Sequence, residues 1–268
     1  MDILIGFSKL FVFDFSGFVN SLNQAPIVFT WLVFLIFCLC TILIFLKLFG
    51  EVGMYMYTVI SIIGANIQVL KIVDFPFFNS PIALGTILFS TTFLATDILS
   101  EHYGAKIARK NILIGFASFL VMTIFMLFTM GFTPLDAAKS GEEYSWALST
   151  QDNLLGIFLP FPTFFAASMI AYLFSQYFDV WCYERISKIT EKKFLWMRNN
   201  ISTMLSALLD NTIFSLFAWI ILNPNPLDFN IVLFTFILGT YILRIIIAIL
   251  DTPFIYLAKY FLPNEINE

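Results

Sequence analysis

Long runs of apolar residues constrain the fold of this chain more than any other feature of its sequence. Seven stretches approach or exceed the roughly 20 residues that a helix needs to cross the apolar core of a bilayer. They lie near Pro26–Phe49, Met54–Val73, Pro81–Tyr103, Asn111–Phe132, Leu154–Trp181, Ile201–Leu222 and Phe229–Phe261. Because the bilayer core offers no water to satisfy backbone groups, each run is expected to be helical. The sequence therefore predicts an all-α, polytopic transmembrane helix bundle with about seven spans.

The composition of the chain agrees with this class. Hydrophobic residues make up 60% of the 268 residues and charged residues only 12%, whereas an ordinary soluble domain carries roughly 25% charge. The three cysteines show neither metal-ligand nor disulfide spacing, so no metal and no other cofactor is expected. Basic residues are confined to short loops and form no continuous face, which argues against nucleic acid as a partner. The expected surrounding is a lipid bilayer.

Motifs of common enzymes are missing from the sequence. It contains no Walker A lysine loop, no HExxH and no GxSxG. An aspartyl intramembrane protease would need a glycine-flanked aspartate, whereas Asp179 lies in QYFDVW and Asp210 lies in ALLDNT. We therefore expect a protein that is not an enzyme and has no catalytic residues.

Composition divides the chain into three parts. Residues 1–25 are apolar but carry Lys9 and Asp14, so they are expected to form an interfacial or short re-entrant segment and not a cleaved signal peptide. Residues 26–262 form the predicted transmembrane domain. Residues 263–268 form the predicted cytoplasmic tail.

The distribution of Lys and Arg predicts the orientation, because cytoplasmic loops are enriched in these residues. Loop 104–110 and loop 182–199 are basic and are predicted to be cytoplasmic; their basic residues are Lys106, Arg109, Lys110, Arg185, Lys188, Lys192, Lys193 and Arg198. Loop 133–153 has only Lys139 against four acidic residues, and loop 223–228 has no basic residue, so both are predicted to be external. The N-terminus is then outside and the C-terminus cytoplasmic, in the inner or plasma membrane of the cell.

Five of the predicted spans carry polar side chains at helical spacing, which places them on one face of each helix. The most polar stretch is FSTTFLATDILSEHYGAKIARK, residues 89–110, where Asp97 and Glu101 lie one turn apart. The other polar residues of these spans are Asn66, Gln68, Thr86, Ser90, Ser168, Tyr172, Gln176, Asp179, Ser202, Ser206, Asp210, Asn211, Thr240, Arg244 and Asp251. Because lipid disfavours such residues, the polar faces are predicted to converge on a shared interior cavity.

Structural roles compete with functional ones for these residues. Ser and Thr in membrane helices commonly hydrogen-bond a neighbouring helix and do nothing else. Glu101 and Asp179 lie near the predicted cytoplasmic ends of their spans, where solvent or nearby basic residues would stabilise them. Asp210 and Arg244 lie near mid-span, where they can pair with each other, and such a buried ion pair can be purely structural.

Five segments in consistent order resemble the YhhQ-type queuosine precursor transporters, also called vitamin-uptake-transporter-like integral membrane proteins. The segments are ANIQVLKIVDF, FLATDILSEHYGAKIARK, FFAASMIAYLFSQYFDVWCYERI, NNISTMLSALLDNTIFSLFAW and YILRIIIAILDTPFIYLAKY. They cover roughly residues 58–262, which is the second to seventh predicted helix. The resemblance implies a six-helix core to which the first predicted helix is an N-terminal addition.

This resemblance implies a membrane transporter that imports queuosine precursors for salvage of the modified tRNA base. The substrates of the family are the 7-deazaguanines 7-cyano-7-deazaguanine and 7-aminomethyl-7-deazaguanine, or queuine. A deazaguanine presents an N1–H beside an exocyclic amine, a donor pair that one carboxylate accepts with two hydrogen bonds. Its flat ring suits stacking on aromatic side chains, and its carbonyl oxygen suits an amide donor.

The predicted site residues follow from this chemistry, and Asp97 or Asp210 would bind the guanine-like edge. Substrate binding is assigned to Asp97, Asp210, Asn66, Gln68, Gln176 and Asn211. Gating or proton coupling is assigned to Glu101, Asp179, Arg244 and Asp251, because carboxylates inside membranes often relay protons. Glu101 has a simpler alternative role as an ion-pair partner of Lys106 or Arg109.

Two further functions stay open at the level of sequence. The chain could be the substrate-capturing subunit of an ATP-driven vitamin uptake system, which would require a separate energising module. It could also be a membrane scaffold whose polar residues make structural contacts without a ligand. A homo-oligomer is equally open, because no sequence feature decides the oligomeric state.

Overall fold

The structure is a computed structural model that describes residues 2–76, 82–136, 141–158 and 162–263. Regular structure in these residues is almost entirely helical, so the predicted all-α fold is confirmed. The helices are α1 (Asp2–Phe11), α2 (Phe15–Asn23), α3 (Ile27–Gln68), α4 (Thr86–His102), α5 (Ala105–Gly131), α6 (Ser145–Phe158), α7 (Pro162–Ile189), α8 (Leu195–Ile221) and α9 (Phe229–Ala258). A 3-10 turn, Glu142–Tyr144, precedes α6, and a short antiparallel hairpin pairs β1 (Ile72–Val73) with β2 (Ile82–Ala83).

Helix α3 folds back on itself, so it forms a helical hairpin. The reversal occurs at Gly50, whose backbone angles are φ 56° and ψ −132°. Cys38 and Tyr57 lie in opposite halves and their side chains interact, although in a straight helix they would be about 28 Å apart. The two halves correspond to the first two predicted spans.

The conformation of Gly50 explains why a glycine is needed at this turn. A positive φ with a strongly negative ψ is open to glycine and strained for residues with a Cβ. A Cβ built on Gly50 would also lie 3.2 Å from the Tyr103 hydroxyl and 3.1 Å from Cγ of Pro263. The turn is therefore packed tightly beneath the end of α4 and the end of the described chain.

Helix α4 lies at the centre of the bundle. It packs against α3, α5, α7, α8 and α9. Eleven of its 17 residues are buried, and they include the whole run from Ser90 to Leu99. The polar segment that dominates the sequence is thus held in the middle of the protein, away from lipid.

Four helices are long and apolar enough to cross a membrane among the residues that the structure describes, namely α3, α5, α8 and α9. The halves of α3 account for two predicted spans. Helices α4 and α7 coincide with two more but are shorter or more polar, so the total of seven stays a prediction. Large apolar side chains cover the outer faces, as Phe125 and Phe234 illustrate with 65% exposure each. This is the surface of a multi-pass membrane protein.

Several predicted boundaries are wrong. Helix α6 begins inside the predicted loop 133–153 and ends inside the predicted fifth span, and α7 continues to Ile189, well beyond the predicted end of that span. The basic loop 182–199 shrinks to residues 190–194, because charged residues extend both flanking helices past the apolar region. The N-terminal segment forms two helices, α1 and α2, separated by a turn. Pro81, Lys139 and tail residues 264–268 lie outside the described residues.

Candidate functional site

The buried polar side chains form three layers along α4. The first is a cavity at the start of α4. The second is a group of three aspartates, Asp97, Asp179 and Asp251, which we call the carboxylate cluster. The third is an ion pair at the end of α4, formed by Glu101 and Arg198 with Tyr183, which we call the terminal clamp.

The cavity has a volume of about 290 Å³ and lies between α4, α7, α8, α9 and the β1–β2 hairpin. Its polar lining includes Thr86, Ser168, Asp210, Asn211, Thr240 and Arg244. Its aromatic lining consists of Phe89, Phe164, Phe214, Trp219 and Phe236. The predicted convergence of polar faces therefore holds for part of the predicted set, on four helices.

A buried ion pair forms the polar edge of the cavity. Nη1 of Arg244 lies 2.6 Å from Oδ2 of Asp210, which confirms the pairing that their depth predicted. Ser175 donates a hydrogen bond of 3.1 Å to Oδ1 of the same carboxylate. Each carboxylate oxygen still has lone-pair capacity, because a carboxylate accepts about four hydrogen bonds. The charge of Asp210 is thus neutralised while its edge can still accept donors from a ligand.

Three donor groups of the cavity lining lack partners among the residues that the structure describes. They are Nε of Arg244, Oγ of Ser168 and Nε1 of Trp219. Buried polar atoms are nearly always hydrogen-bonded, and exceptions are typical of sites that receive a ligand or water. Residues that line the cavity therefore carry several donors without partners beside one carboxylate.

Two π-helical segments build the aromatic wall. Trp219 belongs to Phe217–Ile221 at the end of α8, and Phe236 belongs to Val232–Gly239 within α9. Their rings stack with centroids 4.6 Å apart, and Phe164 meets Trp219 edge-on at 5.0 Å. Because π-helical turns are rare and change the angle at which side chains leave the helix, they frequently mark functional sites.

The amino end of α4 contributes backbone polarity to the cavity. Gly85, the residue before the helix, has φ 100° and makes no side-chain cap. A Cβ at this position would lie 2.7 Å from the carbonyl oxygen of Ala65, so only glycine allows α3 to approach so closely. Backbone N–H groups at a helix start carry partial positive charge. The start of α4 therefore favours an acceptor atom on a ligand.

The structure disperses the predicted substrate-binding residues. Asp210 and Asn211 line the cavity, together with Arg244 from the predicted gating set. The side-chain amide of Asn211 donates to the carbonyl of Ile237 and to Thr240, which ties α8 to α9.

The remaining predicted amides make contacts within the protein. Gln176 donates to Thr92 and accepts from Thr96, both at 3.0 Å, and so links α7 to α4. Asn66 donates to the carbonyl of Ile62 one turn earlier in α3. Gln68 is half-buried at the last position of α3. None of these three side chains is part of the described lining of the cavity.

The carboxylate cluster joins three helices in the interior. Asp97 comes from α4, Asp179 from α7 and Asp251 from α9, and each is at most 1% exposed. Thr203 donates to Oδ2 of Asp97 at 3.4 Å, and Asn199 donates to Oδ1 of Asp251 at 3.1 Å. Asp97 is close enough to interact electrostatically with both other aspartates. The sequence had assigned Asp97 to substrate and the other two to gating or proton coupling.

The terminal clamp closes the opposite end of α4. Arg198 donates through Nε to Oε2 of Glu101 at 3.0 Å, and its Nη2 pairs with Oε1. Tyr183 donates to Oε2 of Glu101 at 2.7 Å. Helices α4, α7 and α8 are therefore fastened together at one point. Glu101 does not pair with Lys106 or Arg109 among the described contacts, and Arg109 instead pairs with Glu184.

Sequence reasoning missed several contributors to these layers. Arg198 was counted among the basic residues of a loop, although it is 2% exposed on α8. Trp219 and Phe236 lie in apolar runs, and nothing in the neighbouring sequence indicated that they line a cavity. Ser175 lies one helical turn before Asp179, and Asn199 lies one turn before Ser202. This helical spacing would have identified both residues as members of the buried polar faces.

Long apolar helices around a buried, partly unsatisfied polar cavity are the arrangement of a membrane transporter. The profile of the vitamin uptake transporter family matches residues 83–258, and the chain belongs to this family. A "Probable queuosine precursor transporter" of Bacillus subtilis (strain 168) is 32% identical over 236 residues, which is 88% of this chain and 96% of the relative. No solved structure matches the chain. The family resemblance inferred from the sequence is confirmed, and the matched region contains all three polar layers.

Proposed function

We propose that this protein is a transporter that imports queuosine precursors of the 7-deazaguanine class. The observation that carries the proposal is the cavity, where a carboxylate–guanidinium pair faces an aromatic wall. The name of the Bacillus subtilis relative supports the same substrate class. A transporter of this kind moves its substrate without chemical change, so we expect no enzymatic activity.

The cavity and a 7-deazaguanine are chemically complementary. The N1–H and exocyclic amine of the base would donate to the free lone pairs of Asp210, while Nε of Arg244 would donate to the base carbonyl. The flat ring would pack against the wall formed by Trp219 and Phe236. At about 290 Å³ the cavity is at the lower end of ligand pockets. It suits a free base better than a nucleotide.

The other predicted residues take supporting roles in this proposal. Asn211 would hold α8 against α9 beside the substrate, and Gln176 would hold α7 against α4. We place Asp210 at the substrate edge and leave Asp97 to the layer beneath. Asn66 and Gln68 would act at the border of the cavity, near the β1–β2 hairpin.

The predicted orientation places each layer on one side of the membrane in this proposal. With the N-terminus outside and the C-terminus cytoplasmic, the cavity lies towards the external side of the inner or plasma membrane. The terminal clamp then lies on the cytoplasmic side, close to the basic turn at residues 190–194. Separation of Glu101 from Arg198 would open the route by which substrate leaves, which is the gate expected of alternating access.

The test is uptake of labelled 7-cyano-7-deazaguanine by cells that lack both their own synthesis and their own transporter. Asp210→Asn should reduce uptake at least tenfold, because it removes one acceptor and the charge that holds Arg244. Asp152→Asn, on the exposed surface of α6, is the matched control and should leave uptake unchanged. Competition by unlabelled precursor but not by adenine should show the specificity. Normal uptake by Asp210→Asn would contradict the proposal.

Reconstitution separates an autonomous transporter from a capturing subunit. Purified protein in liposomes should take up the precursor without added ATP or partner. If it binds the precursor but never moves it, a separate energising module is required and the proposal of an autonomous importer fails.

A further inference from the structure

We infer that Asp97, Asp179 and Asp251 form a proton-binding site that couples substrate entry to proton movement. The inference rests on the proposed function, because it names the energy source of that transport. It starts from a layer of the structure that the cavity does not use.

The carboxylate cluster contains more negative charge than its surroundings compensate. None of the three aspartates forms an ion pair within the described chain. The two arginines that are buried in the described chain are occupied, since Arg198 holds Glu101 and Arg244 holds Asp210. Three unpaired carboxylates in a buried membrane interior would be very costly. The cluster therefore requires positive charge from another source.

The carboxylate oxygens at this site have few donors within hydrogen-bond distance. Oδ1 of Asp97 and both carboxylate oxygens of Asp179 are buried without a well-formed hydrogen bond in the part of the chain that is described, although the hydroxyl groups of Ser202 and Ser206 on α8 lie close to Asp179. Oδ1 of Asn199 is also unpartnered, although the same amide donates to Asp251. Asn199 is fully buried and its side chain points into the cluster. Protons on the carboxyl groups would supply the missing O–H donors.

A metal ion fits the site less well than protons do. The oxygen atoms would suit a hard cation. However, the described residues contain no group of three or more acidic, histidine or cysteine side chains arranged to hold a metal ion. Asp97 interacts with both Asp179 and Asp251, and neighbouring buried carboxyl groups can share a proton because they cannot all be charged at once.

The helices packed around the cluster offer it no compensating positive charge within the described chain. Next to the cluster, α7 also presents Tyr183 and Cys182, which are neutral as O–H and S–H groups. On the facing side of α3, Tyr57 donates to Thr91 of α4. The charged residues of α4, α5, α8 and α9 around this region are engaged elsewhere; these are Glu101 with Arg198, Arg109 with Glu184, Lys110 over the ring of Tyr55, and Arg244 with Asp210. His102 at the end of α4 is partly buried with Nε2 unpartnered among the described residues, and its charged neighbours are Glu101 and Arg198 of the terminal clamp.

The position of the cluster explains how protons and substrate would be linked. Ser175 donates to Asp210 at the cavity, and Asp179 follows one turn later on α7. Arg244 and Asp251 are likewise two turns apart on α9. Substrate that binds at Asp210 would therefore act on two of the three helices that carry cluster residues, α7 and α9. Protonation would let α4, α7 and α9 stay packed, and proton release would make their carboxylates repel one another.

The experiment uses purified protein in liposomes that contain a pH-sensitive dye. In the absence of an imposed gradient, addition of 7-cyano-7-deazaguanine outside should acidify the lumen along with uptake. An acidic exterior should raise substrate accumulation several-fold, and a protonophore should abolish that gain. Asp152→Asn should behave as the unmodified protein does.

Substitution of the cluster locates the effect. Asp179→Asn should keep the thermal stabilisation that the precursor gives and should keep exchange of labelled for unlabelled substrate. Its substrate accumulation driven by the pH gradient should fall at least tenfold. Asp251→Asn is the second variant, for the case in which Asp179→Asn does not fold.

The possible failures can be told apart. If the unmodified protein exchanges substrate but neither acidifies the lumen nor responds to the gradient, the proton inference is wrong and the proposed function stands. If it neither binds nor exchanges the precursor, the proposed function fails. If the folded cluster variants keep full gradient-driven accumulation, the protons bind elsewhere.

Discussion

At the scale of single residues, the pair of Asp210 and Arg244 carries both stability and recognition. Both residues are 7% exposed, so each would be a buried, uncompensated charge without the other. Removal of one partner of such a pair typically costs about 3–5 kcal/mol, whereas replacement of both by neutral groups can be nearly free. This asymmetry allows the two roles to be separated.

Arg244→Met should lower the free energy of unfolding by about 3–5 kcal/mol, because it leaves the Asp210 carboxylate unpaired. The double variant Asp210→Asn with Arg244→Met should recover most of that loss while precursor uptake stays abolished. Denaturation in detergent and uptake in cells measure the two effects. Normal uptake by the stable double variant would show that the pair is only structural.

At the scale of elements, the most demanding feature is the reversal within α3. One backbone conformation at Gly50 turns a 42-residue helical segment into two antiparallel halves. The halves bury Leu35, Leu39, Ile42, Ile62 and other apolar residues against each other and against α4. The position of the central helix therefore depends on this turn.

Gly50→Ala should destabilise the protein by about 1–3 kcal/mol, because a residue with a Cβ is strained at a positive φ combined with a strongly negative ψ. Gly156→Ala is the control and should stabilise the protein slightly. Gly156 lies inside α6 with open space around it, and alanine favours helix more than glycine does. Thermal denaturation in detergent measures both. Equal behaviour of the two variants would mean that the turn is not held by its backbone conformation.

The sequence predicted elements better than contacts. Apolar runs were enough to place the helices around Asn111 and Phe229, because each run must satisfy its backbone internally. The end of α7 was missed, since its last turns are charged and leave the apolar region. The clamp was missed because Glu101 and Arg198 are 97 positions apart, and no local pattern encodes which distant helix a carboxylate meets. The spacing of polar residues likewise predicted which face of each helix is buried. It did not predict that the buried polar side chains form three separate layers.

At the scale of the whole molecule, the three layers define a path through the bundle. The cavity, the carboxylate cluster and the terminal clamp follow one another along α4, from Thr86 to Glu101. The cavity end is roomy and partly unsatisfied, and the clamp end is closed by charge-assisted hydrogen bonds. A transporter with access from one side at a time needs such an asymmetry.

Glu101→Gln should weaken the clamp and increase access from the cytoplasmic side. Cys182 lies beside Tyr183 on α7 and is buried, so it reports this opening. The measurement uses a protein in which Cys38 and Cys40 are replaced by Ser. In inside-out vesicles, Glu101→Gln should make a maleimide label Cys182 several-fold faster. The control is Glu184→Gln, which removes a solvent-exposed pair with Arg109 that is worth little. An unchanged rate in Glu101→Gln would show that the clamp does not close the pathway.

The π-helical segments of α8 and α9 have a consequence for how substrate choice can change. A π turn holds one residue more than an α turn, so loss of a single residue can be absorbed by a return to ordinary helix. Such a deletion would rotate Trp219 or Phe236 away from its partner while the rest of the bundle kept its register. A one-residue deletion in a related protein could therefore change the aromatic wall of the cavity and the preferred ligand. It would do so without replacing any of the side chains that line the cavity.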